Sequence, residues 1–136
     1  MKLIYLLALL FVSCGGTTAL DRTNQMKTDI AQIQTESKLS FPTGSKILYQ
    51  GDDGGGREYR EYIIYSPQPI DLAGDTWDGD AATMLEKMKE LAGSHDFGKA
   101  AAEASIRSSW DNESGKWQAD VVKTNTGNYL YLENFK

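Results

Sequence analysis

Hydrophobic positions fall into distinct regimes along the chain. Residues 3–12 are an unbroken apolar run, whereas 20–38 are largely polar, with Met26, Ile30 and Ile33 as a spaced apolar trio. The four- and three-residue spacing of that trio predicts one narrow helical face. From Phe41 onward the period shortens toward two. The stretches 46–50 and 57–66, rich in Tyr and Ile, read as two strands. Between them Gly51-Asp52-Asp53-Gly54-Gly55-Gly56 supplies residues that tolerate positive φ, so a hairpin is expected. Pro67 and Pro69 close the second strand.

The period then lengthens again. Met84, Leu85, Met88, Leu91 and Ala92 share one face of a helix predicted over 81–92, with Asp80 as its N-cap and Gly93 at its end. The alanine-rich stretch 97–104 predicts a second, short helix on propensity. The last third reads as a meander of three strands, 105–110, 117–124 and 129–135, joined by Asp111-Asn112-Glu113-Ser114-Gly115 and Asn125-Thr126-Gly127-Asn128. The order ββα(α)βββ implies an α+β fold. It is a two-layer sandwich of an antiparallel sheet of about five strands with helices on one face, preceded by an N-terminal helical tether.

The first regime sets the expected address. Lys2 gives a positive start, and a ten-residue helix over 3–12 would be roughly 15 Å long, about half a bilayer's hydrocarbon thickness. That length suits a signal peptide, not a membrane span. The run stops at Leu10-Phe11-Val12-Ser13-Cys14-Gly15-Gly16, which resembles the lipobox of bacterial lipoproteins. Phe11 departs from the usual Leu at that place. The resemblance implies that 1–13 are removed as a signal peptide and that Cys14 is acylated. Residues 14–40 then form a lipidated tether with a helix, and 41–136 form one small domain. The expected location is the bacterial cell envelope, with the acylated N-terminus held in a membrane. No Asp follows Cys14, which favours the outer membrane in a host that has one.

Composition narrows the function more than it names it. The chain carries 14 basic and 19 acidic residues, a net charge of −5. Loss of Lys2 with the leader would make it −6. A phosphate-backbone binder needs a basic face, so nucleic acid is not an expected partner. Cys14 is the only cysteine, so no internal disulfide can form.

Candidate chemistry is sparse. Asp71, Asp75, Asp78, Asp80 and Glu86 fail the calcium-loop pattern, because Trp77 and Gly79 fall where oxygen ligands belong and Asp80 replaces the glycine. Ser94-His95-Asp96 has triad residue types, but sequence neighbours do not give triad geometry, and His95 is the only histidine. Glu58 and Glu61, three apart on a strand, point to opposite faces. No metal or cofactor is expected. The aromatic residues of the strands and their flanks are the suggestive feature: Tyr49, Tyr59, Tyr62, Tyr65, Trp77, Trp110, Trp117, Tyr129 and Tyr131 outnumber what one buried face needs. Tyr59 and Tyr65 share a face that excludes Tyr62. The candidate ligand-contacting set is therefore Asp52, Asp53, Tyr59, Tyr62 and Tyr65. The expected function is a non-catalytic binding or interaction module for an unidentified protein or small molecule. An envelope enzyme and a small inhibitor or immunity-type protein are the alternatives.

Overall fold

A computed structural model describes residues 30–52 and 59–136. Cys14 and Asp53 lie outside the described residues. The chain divides into two compact units, Met1–Gln32 and Ile33–Lys136. Residues 30–32 of the first are helical. The second begins with helical residues 33–37 (α1) and continues with β1 (Lys46–Asp52), β2 (Tyr59–Ser66), β3 (Asp75–Asp78), α2 (Ala81–Ala92), a 3₁₀ turn (Ser94–Phe97), β4 (Ala102–Asn112), β5 (Gly115–Thr124) and β6 (Gly127–Phe135). It is an α+β arrangement around one antiparallel sheet of six strands, in the order β1-β2-β6-β5-β4-β3.

The sequence expectation of about five strands thus needs a sixth. Asp75-Thr76-Trp77-Asp78 shows no hydrophobic period, yet it pairs with β4 from Asp75↔Ser109 to Asp78↔Ile106. The predicted helix over 97–104 does not form. Gly98, at φ 52°, ends the 3₁₀ turn, and its N–H is donated to the His95 carbonyl. The alanines beyond it enter β4 through a bulge between Ala102 and Ala104, where β5 provides partners from Val122 to Thr124. Ladder hydrogen bonds to an adjacent strand outweigh a helix propensity of a few tenths of a kcal/mol per residue.

Side-chain alternation divides the sheet into two faces. Ile63, Val122, Tyr129 and Tyr131 project from one and pack with Leu85 and Met88 of α2 and with Phe97 and Ala100. Asp80 caps α2 as expected, accepting from the Thr83 N–H at 3.1 Å and from its hydroxyl at 2.9 Å. The opposite face carries Tyr62, Ile64, Trp117, Ala119, Leu130 and Leu132, all buried.

That opposite face is also covered, against the expectation of helices on one side alone. Trp110 Nε1 donates to the Ser37 carbonyl at 3.0 Å and Asn112 Nδ2 to the Glu36 carbonyl at 2.9 Å. Arg60 pairs with Glu36 at 2.6 Å. Ile33, Leu39 and Phe41 are buried, so 33–40, read from sequence as part of the tether, belongs to the compact unit. No helix among the described residues is long and apolar enough to cross a membrane.

Candidate functional site

The sequence-predicted residues separate. Tyr59 and Tyr65 lie on the α2 face, and Tyr62 points the other way and is 2% exposed. Tyr62 is therefore a core residue and offers no ligand contact. Asp52 is exposed at the end of β1. Tyr65 borders a shallow hollow of about 360 Å³ with Lys46, His95, Lys99 and Thr126. Its hydroxyl donates to the Thr126 carbonyl at 3.0 Å.

Tyr59 joins a cluster that sequence reading missed. Glu61 and Glu133 stand directly opposite each other on β2 and β6, a like-charge pairing that destabilises an antiparallel sheet unless something intervenes. Three phenols intervene. Tyr49 donates to Glu61 Oε1 at 3.0 Å, Tyr131 donates to Oε2, and the Tyr59 hydroxyl lies 2.9 Å from Glu61 and 2.7 Å from Glu133. Burial works to raise the Glu61 pKa, but the hydrogen bonds from Tyr131, Tyr59 and Tyr49, with the charge of Lys87, hold it below the ordinary glutamate value. Burial first, then Tyr131, Glu133 and Glu61, push Tyr59 well above the usual tyrosine range. Burial and Glu61 push Tyr131 above it too, against a lowering by the Tyr59 hydroxyl. The Lys87 ammonium sits 4.6 Å over the Tyr131 ring.

Asp120, opposite Tyr131, is a further carboxylate on this side and is 4% exposed. Arg107 Nε approaches its Oδ1 at 2.8 Å, though the N–H direction leaves that oxygen without a well-formed hydrogen bond. Burial raises the Asp120 pKa, and Arg107 offsets only part of the effect. Among the described residues no cluster of carboxylate, His or Cys groups has a metal-holding arrangement. These phenols and carboxylates hydrogen-bond one another across β1, β2 and β6, so the cluster ties neighbouring strands together.

Open space lies on the opposite face. The segment after β2 runs back across β4 and β5 and leaves a pocket of about 520 Å³. Its apolar lining comes from Pro69, Ile70 and Leu72 on that segment and from Ala104, Ile106 and Val121 on the sheet; Asp71, Thr76, Lys123 and Asn128 supply polar groups. Such a volume with apolar walls and few polar groups is usual for small-molecule sites.

The wall is pinned at both ends. Ser66 Oγ donates to the Gln68 carbonyl at 2.7 Å, and Ser108 Oγ donates to the Ala73 carbonyl. Gly74 follows at φ 73°, where a Cβ would collide with the Ser109 carbonyl. The floor follows from register. Ile106 opposes Val121 and Lys123 opposes Asn128, so all four side chains leave the same face. Ile106 remains 47% exposed, a large apolar group kept in solvent. Asn128 is 9% exposed.

A sequence signal for this site existed only in part. Alternation along 105–110 puts Ile106 on the face of Trp110, but nothing local tells that the segment 67–74 folds over it. No family model, curated protein or solved structure matches the chain.

Proposed function

We propose that the chain is a lipid-anchored bacterial envelope lipoprotein whose folded unit is a non-catalytic binding module, with the pocket beneath the segment 69–72 as its ligand site. The anchor rests on the lipobox-like stretch ending at Cys14, which would fix the protein in the membrane through its acyl chains. The module rests on one observation: a pinned wall over a sheet floor leaves about 520 Å³ of largely apolar space, with Lys123 and Asn128 at its margin. Burying apolar ligand surface there yields roughly 25 cal/mol per Å² before the cost of immobilising the ligand. A small molecule fits this space better than a protein surface does. That choice takes the small-molecule branch of the sequence expectation and moves its site from the tyrosines of β2 to the floor of β4 and β5.

The test is saturable binding of an environment-sensitive apolar dye to the full chain. Ile106→Asp places a charge in the floor at an exposed position, where the fold tolerates it. Dye binding should drop at least tenfold in this variant with no change in melting temperature. Equal dye binding by wild type and variant, or none by either, removes the pocket as the ligand site.

A further inference from the structure

The arrangement of polar groups around the pocket specifies one end of a ligand. Lys123 and Asn128 are a directly opposed cross-strand pair, so their side chains leave the sheet side by side, on the order of 5 Å apart at Cβ. Two residues back along β5 comes Val121, opposed on β4 by Ile106, and Ile70 lines the pocket with them. One end of the pocket is therefore polar and the rest apolar.

Lys123 is exposed at the pocket's margin. No carboxylate among the described residues pairs with the Lys123 ammonium, since the five ion pairs use other groups. Asn128 beside it is 9% exposed and lines the pocket. Asp71, the one acid on the rim, is exposed on the overlying segment and stays solvated there.

We infer that the pocket takes a single-chain amphiphile with a carboxylate head, its chain against Ile70, Ile106 and Val121 and its head on Lys123 and Asn128. This rests on the binding-module reading above. A carboxylate has two coplanar oxygens, one for the ammonium and one for the amide Nδ2–H, and its single charge matches the single cation. A phosphate dianion would bring one charge more than the site compensates. An alcohol offers one neutral oxygen to both donors and forms no charge pair with the ammonium, so its bonds there are weaker.

The experiment is calorimetric titration of the full chain in lipid nanodiscs with hexanoate and octanoate, and with hexanol and octanol. Lipid-only nanodiscs serve as the blank for partitioning. Octanoate should bind roughly fifteenfold more tightly than hexanoate, since each buried methylene is worth about fourfold. Each acid should exceed its alcohol by about tenfold. Lys123→Gln should erase the acid preference while leaving alcohol binding in place, Asp71→Asn should not weaken acid binding, and Ile106→Asp should abolish both series. Equal binding of acids and alcohols with no effect of Lys123→Gln overturns the head assignment but leaves the pocket standing. Binding that survives Ile106→Asp places the amphiphile elsewhere, and failure of both series together with the apolar dye removes the binding-module reading as well.

Discussion

A phenol has one proton to donate, and the Tyr59 hydroxyl stands within hydrogen-bond reach of two carboxylates, Glu61 and Glu133. Only one can receive it at a time. Glu61 has two further phenols, whereas Tyr59 is the only phenol against Glu133 among the described residues. Because the folded state lowers the Glu61 pKa, the charged form stabilises the fold. That contribution is fully present above the unfolded glutamate pKa and is lost as pH falls through the folded value. Asp120 has the opposite sign: its raised pKa gives stability that is lost as pH rises through the folded value. Wild type should therefore lose melting temperature below the ordinary glutamate range, and Glu61→Gln should flatten that acid limb. An acid limb of unchanged slope in the variant would show that the three phenols do not act through Glu61. Tyr62 belongs to the core, and Tyr62→Ala should cost about 3–5 kcal/mol of stability in a denaturant titration. Alternation was enough to read from sequence that Tyr62 faces away from Tyr59 and Tyr65. Its burial was not, because that depends on what covers the second face, and α1 with its following segment covers it from far along the chain.

Elements with a strong local signal form where the pattern puts them. The helix Ala81–Ala92 has its cap, its stripe and its terminal glycine in the sequence, and Asp80→Ala should cost about 1 kcal/mol, read as a lower midpoint of denaturation. Elements set by partners do not announce themselves. The strand Asp75–Asp78 exists because Ser109 to Ile106 offer it a ladder, and the alanines after Gly98 extend because Val122 to Thr124 do. Residues 33–41 show the same effect in a segment that looked like a spacer. Leu39 is 4% exposed, so Leu39→Ala should destabilise by about 2–4 kcal/mol. A neutral result there would mean that this segment merely lies on the domain without stabilising it.

At the scale of the molecule, the antiparallel α+β character follows from the order of local patterns, but the pairing of β2 with β6 joins residues some seventy positions apart and has no local signature. The pocket inherits that opacity, since its wall follows β2 while its floor comes from β4, β5 and β6. The proposed anchor is independent of all this and depends on Cys14. Cys14→Ser should abolish acyl labelling and release or stall the protein, and persistent labelling of the variant would remove the anchor.

Among the described residues β3 is the outermost strand on its side, with all four residues exposed and Trp77 47% exposed. Where many copies share a small area, such a rim invites neighbouring chains to extend the sheet from one molecule into the next. Asp75 and Asp78 flank the tryptophan and set a charge at each end of the free ladder, so two copies approaching rim to rim repel before their backbones pair. The acids that a calcium loop could not use thus act as bumpers, and Asp75→Thr with Asp78→Thr should turn a non-sticking rim into one that self-assembles, seen as light scattering that rises with protein concentration.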